Sequence, residues 1–409
     1  MRVLFLTQVL PLPLNAGPKV RAYFVLRYLA EAGHEVSLLS FVRPEDPTEA
    51  ISSLRRMCHS VDIVQMTRSA GRDVWSGLRS LASGEPFLVV RDQSKGMKQA
   101  IERLSGSRSF DAVHADQLWM APYALSARNG MKAVLDQHNA VFQVARRLAI
   151  SEKNALKRWI LKREARTLIA FEKETCEQFD HVVWVSDNDL DALRRAGRQG
   201  GRTLTRSSVI PICVDPCDRQ PIPADSARQR ITFLGGMHWP PNAEGINWFI
   251  REVWPSVAKS RPDTVLTIIG KNPPRLAPGS FPGKIDTPGF VANLDRYLAE
   301  SAAFIVPLHS GGGMRVKILD AWCWGLPVIS TTIGAEGLKT VHGENVLLAD
   351  QPASFADATL EVLQNPPTAR RLRENGRVTV ESHYDWRKVY RSWDSIYCEN
   401  PVHRPLRSQ

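Results

Sequence analysis

The chain has 409 residues, 43% of them apolar, and a formal net charge of +11. That length suits two α/β domains with real cores, and the apolar share excludes a disordered or transmembrane chain. The basic balance favours an acidic partner, either nucleic acid, an anionic membrane or a phosphorylated substrate, and the lack of zinc-finger or RNA-motif spacing sets nucleic acid aside.

Six cysteines (Cys58, Cys176, Cys213, Cys217, Cys323, Cys398) form no C-x-x-C pair and read as thiols of a reducing compartment. The N-terminal MRVLFLTQVLPLPL is short, broken by prolines and without a cleavage pattern, so it reads as a first core strand and not as a signal peptide. No run has the length of a membrane span. The expected location is the cytoplasm, including the inner face of the cell membrane.

In chain order, RVLFLT (2–7) is a strand, followed by a loop with Gly17, a helix from about Val20 to Ala32 closed by Gly33, and the strand EVSLLSF. This is a βαβ unit that starts a parallel sheet. The loop lacks GxGxxG, which argues against a dinucleotide cofactor. Gly17 reads equally as a plain turn or as a place where a substrate nears the backbone, and Lys19 and Arg21 lie by the helix start. VDIVQM is the next strand, followed by a helix pattern with Val74, Trp75, Leu78 and Leu81. FDAVHAD, KAVLDQH and HVVWVS continue the alternation and place His114, Asp116, Asp136 and His138 at strand ends. Ligands bind at the carboxyl ends of such strands. His138, within DQHN, is the stronger site candidate. A long helical region, about 142–179, carries eight Arg or Lys and two Glu between Arg146 and Arg166, with Leu156, Trp159, Ile160, Leu168 and Phe171 as an apolar stripe. A membrane-surface face and an ordinary core-covering helix with a solvated basic side stand level here. The acidic pair in Asp187–Asp189 reads as helix N-terminal charge, with no metal assigned.

Prolines mark VIPICVDPCDRQPIP as a linker. The alternation restarts with RITFLGG, whose Gly235 and Gly236 end a strand, and runs through TVLTIIG and IDTPGFV to PLHSGGGMRVKILDAWCWGLPVIST. There a strand, three glycines (Gly311, Gly312, Gly313), a helix from about Met314 to Gly325 and a further strand follow one another. Such a turn aims free amides and a helix N-terminus at one spot, and Arg315 and Lys317 add two cations. The arrangement suits a diphosphate. The chain thus divides into a first domain at 1–208, a linker at 209–228, a second domain at 229–383 and an aromatic-rich C-terminal helix at 384–398 that packs back toward the first domain. The tail from Glu399 is expected to fray.

Taken in order, FLGGMHWPPNAEG, TIIGKNPP, GFVANL, PLHSGGGMRVKILDAWCWGLPVIST and IGAEGL, with the weaker DQHN and VIPICVD, make the chain resemble the family-4 (group 1) retaining glycosyltransferases over nearly its whole length. The nearest likeness is to bacterial enzymes of exopolysaccharide and lipopolysaccharide synthesis. The resemblance implies the GT-B fold, an α/β architecture of two Rossmann-like parallel-sheet domains facing a cleft. It implies a nucleotide-sugar donor held by Gly17, Gly235, Gly236, Gly311, Gly312, Gly313, Met314 and Asp320, with Asp320 on the ribose. It implies catalysis by His138, Arg315 and Lys317 with retention and neither metal nor cofactor. The acceptor, a saccharide or a lipid-linked one, would meet the first domain, where Arg21 and His114 are candidates. The sequence departs from the family at Gly312 and Asp320, where two glutamates with seven residues between them are common, and in GGMHWPPN, which has no lysine or arginine. The departure at Gly312 keeps a second reading open, a catalytically degenerate sugar-nucleotide or polysaccharide binding subunit. A 2-epimerase on the same fold lacks an acid–base set.

Overall fold

Runs of four to eight Val, Ile, Leu and Phe residues, each closed by a polar or glycine turn, are too short for helices and too apolar for a solvated face, so they become buried parallel strands. A computed structural model describes residues 1–66, 68–196, 206–223, 229–277 and 279–398. The end of the expected linker (224–228) and the tail from Glu399 lie outside the described residues. The first sheet contains β1 (Arg2–Thr7), β2 (Glu35–Val42), β3 (Ser60–Gln65), β4 (Ala112–Asp116), β5 (Lys132–Gln137), β6 (His181–Trp184) and β7 (Ser207–Val209) in the order 3-2-1-4-5-6-7. The second contains β8 (Arg230–Leu234), β9 (Val265–Ile269), β10 (Lys284–Gly289), β11 (Ser301–Val306), β12 (Val328–Ser330) and β13 (Leu347–Leu348) in the order 10-9-8-11-12-13. Every pairing is parallel. Both sheets therefore reverse direction at their first strand, the doubly wound Rossmann arrangement.

The long basic region is two helices, not one. Val141–Ser151 ends before Asn154, whose side chain accepts from the Lys157 amide at 3.0 Å and starts the helix Ala155–Cys176. An N-cap asparagine satisfies an amide that a continuing helix would have used, so it favours a restart. The apolar stripe divides with it: Leu168 is buried, whereas Leu156, Trp159 and Ile160 face solvent. Asp189 accepts from the Ala140 amide at 2.9 Å and from Ser186 Oγ, which fits a structural role for the Asp187–Asp189 stretch.

The C-terminal segment lies on the first domain. Its turns run Trp386–Val389, Tyr390–Trp393 and Asp394–Tyr397, with the middle one wound as a 3-10 helix. Side chains three apart eclipse in a 3-10 turn, and Tyr390 and Trp393 both stack on Arg21, 5.2 and 5.1 Å from its guanidinium carbon. Phe24 stacks on Trp386 (5.8 Å), and Tyr28 donates to Asp394 (2.9 Å). The linker joins in where the Val214 amide donates to the Tyr384 carbonyl (2.9 Å). All six cysteines are free thiols.

Candidate active site in the interdomain cleft

At each point of reversal, the loops after the two flanking strands open a crevice. In the first domain these are the β1 loop to Gly17 and the β4 loop with Gln117. In the second they are the β8 loop with Gly235 and Gly236, and the β11 loop with Gly311, Gly312 and Gly313. The two crevices face each other. A Cβ on Gly17 would lie 3.3 Å from Val316 Cγ2, and one on Gly313 would lie 3.0 Å from the His138 carbonyl oxygen. The fold thus brings Gly17, His138 and the glycine loop together from three distant stretches of chain.

The glycine loop turns through positive φ at Gly311 (107°) and Gly313 (71°), backbone that a side chain would strain. It delivers the chain to the helix Val316–Cys323, which begins two residues later than the sequence pattern suggests. Those two residues include Arg315, which is 4% exposed. Its Nη1 donates to the carbonyls of Gly312 and Gly313, the latter at 3.0 Å, while Nε and Nη2 are buried without a hydrogen-bond partner among the described residues. Burial, with Arg147 adding to it, lowers the guanidinium to about 10, so it is still a cation at neutral pH. Buried donors of a cation left unsatisfied are costly, and an anionic ligand would satisfy them.

Lys317, half-buried, donates from Nζ to Asn242 Oδ1 at 2.9 Å, above the Phe233 ring. A Cβ on Gly235 would come within 2.8 Å of this Nζ, so the glycine admits the ammonium to the β8 loop. Burial and Arg315 push its pKa down to about 7. Gly236 adjoins this point and accepts from Asn242 Nδ2 at 2.9 Å. Asp320 is one turn along the helix and pairs with Arg219 of the linker at 3.3 Å. Met314 Sδ accepts from the Ile212 amide at 3.2 Å, which commits that side chain to the linker and leaves only its backbone for a ligand.

In the first domain, His138 sits at the end of β5, 8% exposed. Nε2 meets Asp116 Oδ1 at 2.9 Å, and Nδ1 meets the Gln117 side-chain amide nitrogen at 3.2 Å. Asp116 and Asp136 hold the imidazole charged, raising its pKa against burial to about 9. In the charged ring both nitrogens donate, Nε2 to Asp116 and Nδ1 to Gln117, whose side-chain amide must then turn its oxygen toward the ring. So held, the ring is a fixed cation rather than a proton shuttle, and the His138 carbonyl is the group turned to the glycine loop. Gln117 has a φ of 73°, a strained backbone for a residue with a side chain, and that strain directs its amide at His138.

Arg21 and His114, the candidate acceptor contacts, are fully buried and offer an acceptor no surface. Arg21 clasps Asp136 through Nε (2.8 Å) and Nη2 (3.0 Å) and donates from Nη1 to the Pro211 carbonyl (2.7 Å). His114 stacks on Phe5 (4.0 Å) and bonds through Nδ1 to the Tyr397 hydroxyl (2.6 Å), and burial lowers its pKa to about 3. Arg21 acts behind His138 instead, ordering Asp136, one of the carboxylates that charge it, while His114 is a neutral ring packed in the core. The His114, Asp116 and Asp136 ligand atoms lie within 4.8 Å of one another, spacing that a metal could use. Arg21 already neutralises Asp136 there and His138 already takes Asp116, so the cluster suits its own side chains better than an added cation.

A further contact, absent from the sequence expectations, closes the cleft. Arg147, on the helix Val141–Ser151, bonds to Glu336 (Nη2 to Oε1, 2.7 Å) and to the Gly311 carbonyl. IGAEGL marks Glu336 in the sequence, but nothing in the chain near Arg147 singles that arginine out from the seven other cations around it.

Two family models match the chain, one described as glycosyltransferase family 4 over residues 16–217 and one as glycosyl transferases group 1 over residues 228–365. An uncharacterised 44.6 kDa protein in the cps region of Klebsiella pneumoniae is 25% identical over 95% of this chain and 97% of its own. Sucrose-phosphate synthase from Thermosynechococcus elongatus superposes with a TM-score of 0.69 at 16% identity, covering 98% of this chain and 99% of that one. HepE of Anabaena, solved with UDP-glucose, superposes with a TM-score of 0.65 at 13% identity, covering 98% and 100%. At these identities the two structures establish the shared two-domain fold.

Proposed function

The chain belongs to the group 1 (family 4) glycosyltransferases, and from that premise we propose that it moves a hexosyl group from a nucleotide-sugar to a saccharide or lipid-linked acceptor in cell-surface polysaccharide synthesis, with retention and without a metal. The observation that carries the donor assignment is Arg315, a buried cation with two unpartnered nitrogens, set beside Lys317 and the amides of the glycine loop. A nucleotide diphosphate is the anion that such a site fits. The UDP-glucose held by HepE and the cps-region setting of the Klebsiella relative agree with this donor and this product class.

In the reaction, the bond between sugar C1 and the diphosphate oxygen breaks, and its electron pair leaves with the diphosphate. Arg315 and Lys317, fixed in place, offset that charge as it develops, the role a metal would otherwise take. The acceptor oxygen bonds to C1 and its proton goes to the departing phosphate. Asp116, Asp136 and Glu336 are each held by a cation, by His138, Arg21 and Arg147 in turn. None is free as an opposite-face base, so the phosphate is the base at hand, and the acceptor then enters on the leaving-group face. That supports retention. Free thiols throughout favour a reducing cytoplasm as the place of reaction.

Thermal shift with UDP, GDP, TDP and their sugar conjugates tests the donor site, because a ligand of the folded state raises the melting temperature. One nucleotide family should stabilise the protein, Arg315→Ala should abolish the effect and Lys317→Ala should reduce it. In turnover, either substitution should cost about 10²–10³-fold in kcat. NMR of the product anomer reads the stereochemistry. No shift with any nucleotide would sink the donor assignment. A shift without transfer or donor hydrolysis would favour the binding-subunit reading, which Gly312 motivates because it stands where the family commonly has glutamate.

A further inference from the structure

The helix Ala70–Ser83 is turned inside out. A surface helix ordinarily buries its apolar face, but here Ser76 and Ser80 face the protein while Val74, Trp75, Leu78 and Leu81 face solvent, Trp75 at 68% exposure. The inward hold is polar: Ser80 Oγ donates to the Glu85 carbonyl at 2.7 Å and accepts from Arg163 Nη1 at 3.1 Å.

Arg163 belongs to the basic helix Ala155–Cys176, which brings that helix alongside. Trp159 and Ile160 precede Arg163 by four and three residues and Leu156 by seven, so all three share its face. They are exposed, as is Ile150 at the end of the preceding helix, at 79%. Every residue from Lys153 to Ile160 is exposed, so this hairpin projects from the domain. Eight of the thirteen exposed large hydrophobic residues among those described fall on these neighbouring helices, which is clustering and not the usual scatter. Lys153, Lys157, Arg158, Lys162 and Arg166 are exposed along the same basic helix. Its Glu164 is turned inward and accepts from the amides of Phe87 (3.0 Å) and Leu88 (3.1 Å), so it does not offset them at the surface.

Tryptophan, leucine and isoleucine flanked by clustered cations are the chemistry of a helix lying in the headgroup region of an anionic bilayer. We propose that the exposed faces of Ala70–Ser83 and of the hairpin through 150–160 form one membrane-docking surface for anionic lipid. The surface adjoins the cleft. The helix that ends beside Ile150 also carries Val144, whose Cγ2 would lie 3.2 Å from a Cβ on Gly312, and Arg147, bonded to Glu336. Ile150 follows Arg147 by three residues, about 5 Å along the axis. Docking here sets the cleft mouth at the lipid surface, where a lipid-carried acceptor would be presented. This inference rests on the transferase reading for its purpose but not for its test.

The test is co-sedimentation of the full chain with phosphatidylglycerol-containing vesicles and with pure phosphatidylcholine vesicles, at low and high salt. The wild type should sediment with the anionic vesicles at low salt and lose most of that binding at high salt or with neutral lipid. Trp75→Ser with Leu78→Ser, Trp159→Ser with Ile160→Ser, and Lys157→Glu with Arg158→Glu should each lose binding. Their donor-induced thermal shift should match the wild type, which shows that the fold and the donor site survive. Sedimentation undiminished in all three variants, or absent in the wild type, would overturn the proposal even if the donor shift is intact. A wild-type dimer that the same substitutions dissociate would also overturn it, by assigning the surface to a second copy.

Discussion

On the proposed donor site, Lys317 would tie binding to pH. Its ammonium is lowered to about 7 by burial and by Arg315. The charged form is the one that attracts a diphosphate, and a folded pKa near 7 means the proton is lost as pH rises through that value. Above it, binding must first restore the proton, so affinity weakens by up to about tenfold per pH unit. A nucleotide-sugar is the right probe, because its diphosphate diester has no titration in this range. Calorimetry from pH 6 to 9 should show a dissociation constant that climbs above pH 7 in the wild type and stays flat in Lys317→Ala. An equal slope in both would place the titrating group elsewhere. At this scale the sequence singles out the glycines, Arg315, Lys317 and His138, because each stands in a short motif whose chemistry is local, and the fold brings Gly17, His138 and the glycine loop to one cleft. Arg21 and His114 were not read correctly. Their burial depends on Tyr390, Trp393 and Tyr397, residues far away in sequence that no local pattern connects to a strand end.

Among elements, the C-terminal segment bears most directly on the site. Tyr397 is 1% exposed and supplies the only hydrogen-bond partner recorded among the described residues for the His114 ring, whose Nε2 has none. Tyr397→Phe removes one hydroxyl and leaves the buried Nδ1 unsatisfied, a loss of about 1–3 kcal/mol. Urea unfolding should show the midpoint falling with an unchanged slope. A midpoint within error of the wild type would mean that water or a shifted ring replaces the bond. The strands and their parallel order were legible because short apolar runs between turns admit little else. The break at Asn154 was not, since the helical period runs on through the basic region and only the cap stops it. The outward face of Ala70–Ser83 was equally hidden: periodicity shows that a stripe exists but not which way it points.

Among the described residues, hydrogen bonds and ion pairs tie the two domains on both sides of the cleft. On one side the linker and the C-terminal segment tie the domains together, through the Val214 amide on the Tyr384 carbonyl and Arg387 on Asp215. Across the cleft, Arg147 grips Glu336 and the Gly311 carbonyl. The two ties differ in kind. The first includes buried aromatic packing, whereas the second is one arginine, paired with Glu336 through side chains 22% and 23% exposed and bonded to the Gly311 carbonyl. A part-exposed pair contributes modestly and can open at small cost, so the linker side acts as the hinge and the Arg147 side as the lip. A donor bound as proposed must reach the glycine loop that Arg147 holds, which makes this contact the one to release on entry. Arg147→Ala should therefore enlarge the radius of gyration of the donor-free protein in small-angle scattering, and saturating donor should draw wild type and variant to the same value. Equal radii without donor would show that the hinge alone sets closure, and the cross-cleft pair would then be a consequence of the closed form rather than a cause of it.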